Sequence, residues 1–87
     1  MLFRSRCAYL ELTTPDLATA AAELVALGLQ RVTVVPMFLG AGRHVREDLP
    51  QLVQDLQQAH PQIDIRLQPP VGEDGRVVEL LARIALE

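Results

Sequence analysis

The chain has 87 residues, 49% of them apolar, with two Phe, one Tyr and no Trp, and its eight arginines stand against eleven acids for a net charge of −3. One small domain over residues 1–87 is expected, burying only roughly 60 to 65% of its unfolded surface around an aliphatic core. The lack of aromatic platforms and of a basic stripe excludes a nucleic-acid partner, and the lack of lysine excludes a Schiff base and a Walker-type phosphate loop.

Cys7 is the one cysteine, which leaves no internal disulfide and no thiolate zinc site, so packing is its expected role. No apolar run approaches the roughly 18 residues of a membrane span, and no signal-like start is present. A cytoplasmic protein without a membrane partner is expected.

In chain order, Cys7 to Leu12 (CAYLEL) reads as a short strand that carries the acid Glu11 out of pattern near its end. Thr14 is expected to cap the next helix, with Pro15 at its first position and Asp16 in the first turn. Leu17, Ala20, Ala21, Leu24 and Leu27 form its apolar face, and Gly28 stops it. The run from Arg31 to Val35 is nearly continuous in apolar character, which predicts a strand covered on both faces.

After Pro36 comes a glycine-punctuated loop, and the following helix is placed with Asp48 as its cap because Pro50 is tolerated only in a first turn. Leu49, Leu52, Val53 and Leu56 repeat at helical spacing to Ala59, and His60 with Pro61 closes the element. Ile63 to Leu67 (IDIRL) alternates and predicts a strand with one covered face. Asp74 then caps a last helix bearing Val77, Val78, Leu81, Ile84 and Ala85. The order strand, helix, strand, helix, strand, helix with short connections predicts an α/β domain with a parallel sheet.

Chemistry is expected along the carboxyl ends of the strands. Glu11 ends the first strand and His44 lies after the second, so the two share one rim. Imidazole and carboxylate suit cobalt, iron, nickel or zinc. The blander alternative is an exposed glutamate and a solvated loop histidine. Gly40, Ala41 and Gly42 allow close approach to a large planar ligand or form an ordinary turn. Arg43 and Arg46 are placed either to meet ligand carboxylates or to pair with Glu47. Helix capping accounts for Asp48, and a helix-end position accounts for His60.

These residues resemble the small class II tetrapyrrole chelatases, the sirohydrochlorin cobaltochelatase and ferrochelatase group. The likeness rests on AYLEL at Ala8 to Leu12, on Pro15, and above all on VVPMFLGAGRHVREDLP at Val34 to Pro50. HPQIDI at His60 to Ile65 and VGEDG at Val71 to Gly75 extend it over nearly the whole chain. The resemblance implies a three-layer, flavodoxin-like or chelatase-like parallel sheet. It also implies insertion of Co2+ or Fe2+, with Ni2+ as a further option, into a sirohydrochlorin-like tetrapyrrole in cobalamin or sirohaem synthesis, without ATP. The metal is substrate here, not resident cofactor. His44 is implied as metal ligand and proton acceptor, Glu11 as its helper in metal binding or pyrrole deprotonation, and Phe38, Leu39, Gly40, Gly42 and Arg43 as substrate-binding.

The chain departs from the family pattern in lacking the glycine-flanked histidine loop that follows an initial strand. That unit of strand and helix amounts to roughly 30 to 40 residues. In the order 2-1-3-4-5 the lost strand is central, so either its neighbours close up or another chain supplies cover. A homodimer is the resulting expectation. Two alternatives to turnover are a non-catalytic tetrapyrrole- or metal-binding remnant and a truncated fragment without activity.

Overall fold

In the computed structural model, residues 5–10, 14–40 and 42–87 are described. They form α1 (Leu17–Ala26), β1 (Arg31–Val34), α2 (Arg43–Ala59), β2 (Asp64–Leu67), a 3-10 turn (Val71–Glu73) and α3 (Gly75–Leu86). β1 and β2 run parallel, with Val32 opposite Ile65 and Val34 opposite Leu67. Mixed α/β structure with parallel strands is therefore what the repeating pattern implied.

Register explains which face is covered. Val32, Val34, Ile65 and Leu67 share one side of the sheet and are buried or half-buried, while Arg31, Thr33, Asp64 and Arg66 share the other and are exposed. Asp64 takes ion pairs from Arg31 and Arg66 on that open side, at 3.5 and 3.1 Å. Cover on both faces of the Arg31 strand is thus corrected to cover on one, because every second residue of β1 is polar. The single covered face expected for the IDIRL strand is observed.

The core lies between this face and the helices. Val32, Leu49, Val53, Leu56 and Ile63 are its buried members, with Ala20 and Ala21 from α1. Gln57 locks α2 to the start of β2. Its amide donates to the carbonyls of His60 and Ile63, and its carbonyl accepts from the N–H of Ile65. No helix among the described residues is long and apolar enough to cross a membrane.

Four local expectations are revised. Within Cys7 to Leu10 the backbone makes only an isolated bridge from Tyr9 to Asp16. A strand needs a neighbour to satisfy its N–H and C=O groups, and no ladder joins these residues to β1. Asp16, not Thr14, caps α1, its carboxylate accepting from the N–H of Thr19 at 2.8 Å. α2 starts from Gly42 instead of Asp48, so Pro50 sits inside the helix. Cys7 is exposed, not packed.

The other ends agree with the expectation. Gly28 follows α1 with φ of +85°, a conformation that Gly adopts without the Cβ penalty. His60 closes α2 and Asp74 caps α3.

Candidate functional site

Pro36 has no N–H to give a ladder, so β1 ends and the chain turns across the carboxyl end of the sheet. Pro36 is buried, and its carbonyl accepts from the N–H of Val71 at 3.0 Å. Two residues on, the carbonyl of Phe38 accepts from the N–H of Gly72 at 2.9 Å. Alternate residues of the loop are held inward by these bonds. Met37 and Leu39 between them stand out, at 77% and 70% exposure.

Half-buried Phe38 lines a mostly apolar groove of about 340 Å3 together with Tyr9, Leu10, Val35, Met37 and Leu24. The groove continues along β1 to Val32 and is walled on its far side by Leu17, Ala20 and Ala21 of α1, so it lies beside the strand as well as at its rim. Added side chains at Gly40 or Gly42 would meet nothing within 4 Å, so the space beside them is open.

Gly42 is the N-cap of α2 and supplies no side-chain cap; its carbonyl accepts from the N–H of Arg46. Arg43 lies on the outer face of the first turn and pairs with Glu47 at 3.4 Å, one helical turn on. This is the surface pairing that competed with a ligand role. Arg46 instead forms an ion pair with Glu73 across the loop. Asp48 lies within α2 as an exposed residue and does not cap it.

His44 is the second residue of α2. Its side chain lies outside the described residues, as does all of Glu11, so the expected convergence of imidazole and carboxylate lies outside them too. Among the described residues, no three His, Cys, Asp or Glu side chains form a group that could hold a metal ion.

Beside the rim, Asp74 carries the strongest electrostatic signature. Its side-chain hydrogen bonds from Arg76, then the backbone N–H of that residue, hold its carboxyl at about 2, below an ordinary value of 3.8. The same contacts raise the Arg76 guanidinium. Asp16 is also lowered, by its bonds from Thr19. Both acids serve as helix caps.

Sequence reasoning gave Gly72 only a place in the loop with Pro69 and Pro70, and Glu73 no role, though both lie in the VGEDG stretch. A side chain on Gly72 would overlap the backbone of Leu39. The signal available was a glycine directly after Pro69, Pro70 and Val71, where a turn alone would not demand one.

The CbiX family model matches residues 3–87. Among curated proteins, the chain is 29% identical over 73 residues to a sirohydrochlorin ferrochelatase of Priestia megaterium, covering 84% of this chain and 27% of that protein. It is 30% identical over 81 residues to a sirohydrochlorin cobaltochelatase of Saccharolobus islandicus, covering 86% and 63%. Among solved structures, a cobalamin (vitamin B12) biosynthesis CbiX protein from Marinobacter aquaeolei VT8 superposes with a TM-score of 0.78 at 37% identity, covering 91% of this chain and 65% of that one. The sirohydrochlorin chelatase SirB from Bacillus subtilis subspecies spizizenii, in complex with cobalt, gives 0.73 at 28% identity, covering 91% and 34%. The chain spans less than two thirds of each of these relatives.

Proposed function

The chain belongs to the CbiX family of class II tetrapyrrole chelatases, and on that premise we propose that its single domain takes part in inserting Co2+ or Fe2+ into a sirohydrochlorin-like ring in cobalamin or sirohaem synthesis. In the proposed reaction the ion binds the four ring nitrogens, and the two pyrrole N–H protons leave. Charge is balanced as two protons exchange for one divalent ion, and the proposed reaction runs without ATP.

The carrying observation is the path from β1 to α2. The loop from Val35 to Gly42 leaves the carboxyl end of a parallel strand, stands Met37 and Leu39 outward, and enters the helix whose second residue is His44. On this reading the apolar loop, with Phe38, Leu39, Gly40 and Gly42, covers the ring. On the same reading Arg43 exchanges its surface pair with Glu47 for a ring carboxylate. His44 ligates the ion and accepts a pyrrole proton, with Glu11 assisting.

The second reading is binding of metal and ring without insertion. We also propose a homodimer. Val78, Leu81 and Ile84 are left exposed on α3, and the edge of β1 opposite β2 has no ladder among the described residues, which supports cover from a second copy. A mass that stays monomeric at all concentrations removes it.

The test is an anaerobic absorbance assay of sirohydrochlorin with CoCl2, run with the wild-type chain and His44→Ala. Faster insertion by the wild type alone is expected. Equal rates remove His44 from the mechanism, and a wild-type spectrum of bound but unmetallated ring selects the second reading.

A further inference from the structure

We propose that the 3-10 turn Val71–Glu73 is a brace that positions His44, with Gly72 and Glu73 as positioning residues for metal binding; this rests on the reading of His44 as a metal ligand. The turn grips the β1–α2 connection at three places. Val71 and Gly72 donate N–H to the carbonyls of Pro36 and Phe38 at 3.0 and 2.9 Å, and the Glu73 carboxylate pairs with Arg46. His44 lies inside the gripped span, two residues before the last of these points.

Local sequence cannot fix this span unaided. Between the grips the chain passes Gly40 and Gly42, where a Cβ would touch nothing, so no side-chain packing at these two positions holds the chain in place. Gly72 is the opposite case. A Cβ on it would run into the carbonyl and Cα of Leu39, backbone atoms that move only if the loop moves. The smallest side chain at position 72 therefore displaces the loop that leads to His44.

The ion pair acts at the other end. Arg46 and Glu73 are 59% and 40% exposed along their side chains. A pair this open adds little to stability, and its consequence is to fix the direction of the first turn of α2. Removing groups that orient a metal ligand lowers metal affinity without removing the ligand.

The experiment uses the full chain, titrated with CoCl2 and followed by the cobalt d–d absorption bands, with hydrogen exchange of residues 36–46 and 17–26 measured on the metal-free protein. Gly72→Ala is expected to weaken Co2+ binding about tenfold or more and to alter the d–d bands. It should also speed exchange over 36–46 but not over 17–26. Glu73→Gln should weaken binding about threefold, and the exchanged pair Arg46→Glu with Glu73→Arg should restore it, which loss of general stability would not do. That rescue also decides the matter if Gly72→Ala does not fold.

Two failures remain distinguishable. Wild-type Co2+ affinity in His44→Ala removes the metal reading, and the exchange of residues 36–46 then judges the brace alone. Loss of Co2+ in His44→Ala with unchanged affinity and exchange in Gly72→Ala and Glu73→Gln overturns the brace and keeps the metal reading.

Discussion

Helices α2 and α3 each follow a parallel strand and each carry an apolar stripe, yet Leu49, Val53 and Leu56 of α2 are 6 to 9% exposed whereas Val78, Leu81 and Ile84 of α3 keep 44 to 56%. The difference is not in the pattern. α2 lies over β2 and is tied to it by Gln57, whereas α3 meets mainly the turn that precedes it. Periodicity decides which side chains share a face, and a surface at the right place decides whether that face is buried.

The largest expected effect tests this contrast directly. Leu56→Ala removes a buried side chain and should cost about 2 to 5 kcal/mol, whereas Ile84→Ala in dilute solution should stay within about 0.5 kcal/mol, as at an ordinary surface site. Urea unfolding of both variants at low and high protein concentration measures it. An Ile84→Ala penalty that grows with concentration breaks the contrast and shows α3 covered by a second copy.

The same contrast explains what could be read from sequence. β1 and β2 were legible to within a residue because β-branched runs bounded by Gly28, Pro36 and Pro69 leave little choice of limits. The start of α2 was not. Pro50 argued for a first-turn position, yet Val45 continues the stripe of Leu49, Val53 and Leu56 one turn back. Val45 is half-buried there, which offsets part of the interior cost of about 3 kcal/mol that Pro50 carries, and the ion pair of Arg46 with Glu73 ties the added turn to the loop.

The N-terminal strand was misread for a different reason. CAYLEL has strand character, and its last two residues lie outside the described ones, but Cys7 to Leu10 make only the bridge from Tyr9 to Asp16, because a strand exists only with a partner and pairing is a property of the whole fold. The candidate site divides in the same way. The loop from Val35 to Gly42 and the place of His44 in the chain follow from local signals. The seat of Gly72 against Leu39 joins positions 33 apart in sequence, and no local pattern announces it.

A smaller effect should sharpen the comparison at the join of α2 and β2. Gln57→Ala deletes the donor to His60 and Ile63 and the acceptor for Ile65; the His60 carbonyl still accepts from the N–H of Ile63, whereas the part-buried Ile63 carbonyl and Ile65 N–H lose the Gln57 partner. The expected cost is about 1 to 3 kcal/mol. Hydrogen exchange locates the loss: the amide of Ile65 should speed up while those of α3 keep their wild-type rates. Equal acceleration in both would mean that α2 and α3 open together and that the contrast between them is one of surface area alone.

The smallest expected effect concerns how α3 is held where its stripe is not. Asp74 caps the helix by accepting from the N–H of Arg76 at 2.8 Å, and the guanidinium of the same arginine reaches its second oxygen at 2.7 Å. A carboxyl lowered to about 2 from 3.8 binds its proton less readily folded than unfolded. Its stabilising contribution is therefore complete above the ordinary value and is lost as pH falls from about 4 to about 2. Asp16 adds a loss of the same sign at α1. Asp74→Asn keeps a capping oxygen but no charge, so its deficit against the wild type should be present at neutral pH and shrink to a small remainder at about pH 2. Urea midpoints of both proteins across that interval measure it. A deficit that persists in full at the acid end would assign the cap's contribution to shape instead of charge, and the end of α3 would then be held as α2 is, by fit.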